Sequence, residues 1–287
     1  MSILTQEQTK RITDRVLSLS KADECIVNIE GNRIGNIRFA RNAVSTAGLA
    51  DDTRIQVQVA FGKKQGTATI NEFDDKSIER AVRRAEDLAR LAPDNPEFIP
   101  AIAKTAYKPS DTFVQKTADI DPEYRAQAAA YAIEGCRKRG LVSAGFFTDR
   151  TSFETIANSN GLFGHQVATS LDFTLTVRTE DGRGSGWVKR SARDVTKFDP
   201  REAAEIAIEK ALRSVDAKAL EPGRYTVIME PAATSDLLSF MLGGFDARRA
   251  DEGRSFLSKA GGKNRLGDKL FDQQVNIWSD PWDKDVA

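Results

Sequence analysis

The sequence predicts an α+β fold: antiparallel sheets with packed helices, in at least two domains plus the start of a third. Three observations predict it. Apolar residues alternate with polar ones in several short runs, as half-buried strands require. Gly- and Asn-containing turns join those runs as hairpins, and amphipathic helices follow each group of strands. The length, 287 residues, exceeds what one hydrophobic core usually fills.

A first helix is expected from Gln6 to Leu19. Alternating segments follow at Cys25–Glu30, Arg33–Arg41, Ile55–Phe61 and Gly66–Ile70, and Ile55, Val57, Val59 and Phe61 share one face. Residues 62–66, GKKQG, supply a hairpin connection. Ile78, Ala81, Val82, Ala85, Leu88 and Ala89 then recur at helical spacing behind Asp75, the expected N-cap, and Pro93, Pro96 and Pro100 end that helix. This closes an N-terminal α+β domain, 1–100, with a proline-dotted linker at 101–119.

The middle α+β domain, 120–220, opens on Asp121-Pro122, an N-cap with proline at the first helical position, and an alanine-rich helix runs on to about Arg139. Strands are expected at Leu141–Arg150, Ser152–Ala157, Gly164–Arg178 and Ser185–Ser191. Asn160-Gly161 suits a type I′ turn, in which both central residues take φ > 0. Leu171, Phe173, Leu175 and Val177 form the buried face. Asp199-Pro200-Arg201-Glu202 has the form of a capping box for a helix whose stripe is Ala204, Ile208, Ala211, Leu212 and Val215. Residues 221–287 hold too little to bury a core: a strand at Tyr225–Met229, a helix from about Ala232 to Leu242 and a strand around Val275–Trp278.

Composition excludes several functions. Lys+Arg 42 balances Asp+Glu 42, so no net field draws the chain to nucleic acid or anionic membranes. Apolar runs fall short of the ~20 residues that span a bilayer, and the charged N-terminus lacks a signal-peptide core, which leads to a cytoplasmic location. Cys25, Cys136 and His165 are far apart in sequence and have no zinc-site spacing, so they read as structural and no metal is expected in this chain. The glycines of 182–186 lie between strands, with no helix N-terminus to cradle a phosphate.

Three stretches carry a resemblance. GRYTVIMEPAATSDLLSFMLGGFDARRADEGRSFL (223–257), the hairpin-then-helix segment 51–98 and FETIANSNGL (153–162) together resemble the TldD/PmbA family, the modulator of DNA gyrase metallopeptidases, over nearly the whole chain. The resemblance implies a helix that carries His-Glu-x-x-x-His in metal-bearing members, two zinc ligands and a general base. Thr234, Ser235 and Ser239 stand at those positions here. Ligands at i and i+5 lie ~140° apart on an ideal helix, so converging on one ion needs a widened turn. The missing motif points to the PmbA/TldE-like branch, whose members form the metal-free partner of a zinc-bearing TldD-like subunit. Such a chain lines the chamber of a protease that degrades or matures unfolded peptides, with peptide held as an added strand on a sheet edge in the 33–70 or 164–191 region. The resemblance further implies a longer final domain, hence a C-terminally truncated chain. Arg248, Arg249 and Arg254 after Gly243-Gly244 are candidates for a subunit contact or a clamp on a substrate carboxylate. Two alternatives stand beside this: a non-enzymatic homodimer that binds peptides or a protein client, and a self-sufficient hydrolase with ligands beyond residue 287.

Overall fold

Helices begin where a side chain satisfies the first free amides. In the computed structural model, which describes residues 3–108, 110–280 and 282, the Gln8 amide donates to Thr5 Oγ1 and the Thr5 amide donates to Gln8 Oε1. That closed capping box starts α1 (Gln6–Leu19). Then come β1 (Glu24–Ala40), β2 (Ala43–Phe61), β3 (Lys64–Ile70) and α2 (Asp75–Leu91). A short α3 (Gln115–Ala118) precedes α4 (Pro122–Arg137), β4 (Leu141–Asn158), β5 (Phe163–Thr179), β6 (Ser185–Ala192) and α5 (Pro200–Arg213).

The six strands make one sheet in the order β3-β2-β1-β4-β5-β6, antiparallel throughout. Its centre is the β1–β4 pair, which runs from Ile26 opposite Asn158 to Ala40 opposite Ala144. Segments assigned by sequence to separate domains, 1–100 and 120–220, thus contribute to the same sheet, and Met1–Asp216 underlies one compact unit. Each half keeps its own core. Val27, Ile29, Ile55 and Val57 pack with Ile78, Val82 and Ala85 of α2. Phe39, Phe147, Phe173 and Phe198 pack with Ala129, Ala132, Ala207 and Ile208 of α4 and α5. All of these strand residues share the sheet face that the helices cover, and by strand alternation the other face presents Asn28, Asn32, Asn36, Gln56, Gln58 and Ser152.

The sheet order exposes an internal repeat that periodicity did not suggest: helix, three-stranded meander, helix, twice over, as α1-β1-β2-β3-α2 and α4-β4-β5-β6-α5. Each repeat sets a glycine on its outer strand under its final helix. A Cβ at Gly66 would meet the backbone of Ala85 and Ala89, and one at Gly186 would meet that of Ala207 and Ala211. Glycine is what lets each helix close onto the sheet at that point.

Several sequence expectations are corrected here. The expected strands 25–30 and 33–41 are one strand, and 141–150 and 152–157 are another, because β1 and β4 support each other across the supposed breaks. Residues 43–54 belong to β2 although both sides are largely exposed, so no alternation marks them. The turn with two left-handed residues is Arg41 (φ 50°) and Asn42 (φ 58°); at the β4–β5 hairpin only Gly161 is left-handed (φ 85°). There the Asn158 side chain accepts from the amides of Asn160 and Leu162 and shapes a longer turn. The α2 cap is Asp74, not Asp75, with its carboxylate accepting from the amides of Lys76 and Ser77. Asp199 caps α5 through the Arg201 and Glu202 amides, and Leu212 lies 46% exposed, off the buried stripe.

The second compact unit, Ala217–Pro281, holds α6 (Pro231–Leu242), α7 (Ala247–Asp251) and two-residue strands β7 (Ser258–Lys259) and β8 (Lys263–Asn264). Segments 225–229 and 275–278, expected as strands, are irregular, and among the described residues neither pairs with another strand. Ala250 is the one buried hydrophobic residue among those described in this unit.

Candidate functional site

Pro231 at the first turn sets the helical φ of α6 without removing a needed donor. The helix continues without a break through Thr234, Ser235 and Ser239. All three are hydroxyl residues, and two of their hydroxyls are turned back on the helix. Thr234 Oγ1 donates to the Glu230 carbonyl at 3.2 Å, and Ser239 Oγ donates to the Ser235 carbonyl at 2.8 Å. Zinc in proteins takes imidazole, thiolate or carboxylate, and its general base must accept a proton near neutral pH. Neutral hydroxyls engaged with backbone carbonyls meet neither need, so these three residues do not fit a zinc ion. Leu238 and Met241 are half-buried and Leu237 is 58% exposed, so the apolar side of α6 is only partly covered.

The arginines that follow lie on and after α7, a single turn capped by the Asp246 carboxylate on the Arg249 amide. Glu252 joins two of them: Arg248 Nε donates to Glu252 Oε1 at 2.8 Å, and Arg254 Nε donates to Oε2 at 2.9 Å. These hydrogen bonds hold the Glu252 carboxyl below its usual range. All three arginines are exposed.

In the first unit the structure reveals a cleft of about 580 Å³ on the helix-covered side, lined by Arg33, Ile37, Leu49, Asp119, Asp121 and Arg125 among others. At its wall Arg125 donates from one guanidinium nitrogen to Asp149 at 2.7 Å and to the Ile120 carbonyl at 3.4 Å, with both side chains nearly buried. Burial pushes the Asp149 carboxyl up, outweighing the pull of Arg125. Gly35 makes the room: a Cβ there would collide with the Arg125 guanidinium. Sequence reading missed this pair. Its trace was Arg125 on the same helical stripe as Ala128, Ala129 and Ala132.

The remaining candidates stay apart. His165 is half-buried between α1 and the sheet, with Nδ1 2.8 Å from Thr155 Oγ1 and 3.3 Å from Thr9 Oγ1, and burial lowers its pKa. Burial raises the thiols of Cys25 and Cys136 to about 11, so neither is a ready thiolate. Residues 182–186 connect β5 to β6. Among the described residues no three His, Cys, Asp or Glu converge as for a metal, and no helix is long and apolar enough to cross a membrane.

Comparison with known proteins supplies a context for this geometry. Domain 1 of the PmbA/TldA metallopeptidases matches residues 26–89, their central domain 71–215 and their C-terminal domain 222–286. No curated protein matches. Among solved structures, a Thermotoga maritima protein designated a modulator of a DNA gyrase aligns with TM-score 0.78 and 19% identity, over 87% of this chain and 58% of that one. A similarly designated Bacteroides thetaiotaomicron protein gives TM-score 0.74 and 20% identity, over 89% and 61%. TldE from Thermococcus kodakarensis gives 0.64 and 15%, over 71% and 47%. The chain thus spans about half to three fifths of the length of these relatives.

Proposed function

The chain belongs to the PmbA/TldD metallopeptidase family, and from that premise we propose that it is a TldE-like subunit of a cytosolic zinc protease acting on unfolded peptides. In this reading the chain forms chamber wall, and a TldD-like partner supplies zinc and the general base. The partner's reaction is amide hydrolysis by a metal-activated water. The observation that supports this is in α6: Thr234, Ser235 and Ser239, which the family resemblance sets at the positions of ligands and base, are neutral hydroxyl residues, and two of them are bonded to the helix backbone.

Within this reading the Arg248–Glu252–Arg254 cluster is a subunit contact. Arginine forks held in place by a shared carboxylate are set to pair with acidic groups across an interface. Replacing Arg248 and Arg249 with alanine is expected to weaken association with the zinc-bearing subunit, read by size-exclusion chromatography. Unchanged assembly removes these residues from the interface.

The decisive experiment compares the purified protein alone with a mixture containing a zinc-bearing family member from the same source. Bound zinc and casein hydrolysis are measured in both. Cleavage confined to the mixture is the expected result. Stoichiometric zinc and full activity in the protein alone would overturn the proposal.

A further inference from the structure

The floor of the cleft beside α4 is a row across the middle of the sheet. Gly35 of β1 stands between Leu49 of β2 and Asp149 of β4, and Ile37 opposite Ala47 belongs to the next row on that face. Arg125 reaches over this floor from the first turn of α4. Its side chain is 6% exposed, and a single nitrogen, Nη1, serves both the Asp149 carboxylate and the Ile120 carbonyl. Nε and Nη2 have no partner among the described residues, where no side-chain polar atom is both buried and unpaired. These two donors therefore open into the cleft that Arg125 lines. Together they form the edge of a guanidinium that holds a carboxylate through two parallel hydrogen bonds. Arg33 adds positive charge beside them. It lies two residues from Gly35 on the same face of β1, is exposed at the cleft, and its side chain makes no ion pair or hydrogen bond with a described residue.

Opposite charge is close by. Asp121 caps α4 one turn before Arg125 on the same side of the helix, with Oδ1 accepting from the Tyr124 amide. Asp119 lines the cleft as well, so two acids offset the two arginines there. A doubly charged anion such as phosphate gains little from so balanced a wall, whereas a ligand with adjacent opposite charges matches it. The rest of the lining is largely aliphatic, with Ile37, Ile120 and Leu49. We propose that this cleft binds a free α-amino acid with an aliphatic side chain. Its carboxylate lies on the Nε–Nη2 edge of Arg125, its ammonium group on Asp121, and its side chain against Ile37, Ile120 and Leu49. At about 580 Å³ the cleft has room for such a ligand. The inference is independent of the function proposed above, since the site uses no residue of α6 or α7 and its test needs no zinc-bearing subunit.

The full chain is titrated with leucine, N-acetylleucine and leucinamide by isothermal titration calorimetry. Leucine is expected to bind one-to-one. Each blocked derivative loses one charge-assisted contact and is expected to bind about tenfold more weakly, or worse. Arg33→Gln, at an exposed position, weakens leucine binding several-fold. Asp121→Asn keeps a capping side chain on α4 but removes the charge, so the advantage of leucine over N-acetylleucine closes. Arg125→Met with Asp149→Leu leaves neither charge of the pair unmatched, and it abolishes binding while circular dichroism stays unchanged. A merely structural role for Arg125 and Asp121 would not move the preference among the three ligands. Absence of saturable leucine binding, equal affinity for either blocked derivative, or full affinity in the Arg125→Met, Asp149→Leu variant would each overturn the proposal.

Discussion

The two repeats of the large unit share one architecture and fill it with different chemistry. The first packs aliphatic and alanine side chains against α2, whereas the second builds a cluster of three phenylalanines, Phe147, Phe173 and Phe198, joined by Phe39 of β1, in which Phe147 and Phe198 lie 5.8 Å apart between ring centres. Each also buries a carboxylate, by different means. Glu86 accepts from the Lys21 amide at 2.6 Å and from Arg83 at 2.7 Å, fastening the chain after α1 to α2. Asp149 pairs with Arg125 beneath the cleft. What recurs is the strand pattern and the glycine under the closing helix; the core composition is free to differ. Closure therefore depends on backbone approach more than on any particular side chain.

The largest expected effect tests the difference. Arg125→Ala leaves Asp149 buried without its partner and is expected to cost about 3–5 kcal/mol in denaturant unfolding, while Arg125→Met with Asp149→Leu recovers most of it. Full loss in the double variant as well would mean the pair does more than satisfy itself. A smaller effect tests the likeness. Gly66→Val and Gly186→Val each press a side chain into helix backbone and are expected to cost about 1–3 kcal/mol, by similar amounts. A harmless change at one position would break the equivalence of the repeats. Next come the helix caps, where Asp74→Ala and Asp199→Ala should each cost about 1 kcal/mol.

The smallest effect is pH dependence at His165, which has no counterpart histidine in the first repeat. Burial lowers its pKa in the folded chain from the ordinary 6.5. The unfolded chain therefore takes up the proton first, and stability contributed by the neutral ring falls as pH drops below about 6.5, levelling off below the folded pKa. His165→Gln is expected to flatten that part of the stability profile. An unchanged slope would assign it to the carboxylates.

Much of the fold was legible because it is local. Asp121-Pro122 and Asp199-Pro200 announce helix starts by hydrogen bonds within a few residues, and Leu171 to Val177 announce a buried strand by alternation. The candidate positions Thr234, Ser235 and Ser239 came from resemblance, through the order of residues around them. Their engagement with backbone carbonyls could only be seen in α6 itself.

The sequence alone determined the α+β class, most helix bounds and the family, since each rests on short-range patterns or on motif order. Only the tertiary structure decided that residues 25–61 and 141–179 form one sheet and that Arg125 finds Asp149. Both depend on contacts between residues distant in sequence, from the 24 positions between Arg125 and Asp149 to the 132 between Ile26 and Asn158. Such pairing is settled by which surfaces remain to be covered once the local elements exist, and no local pattern records it.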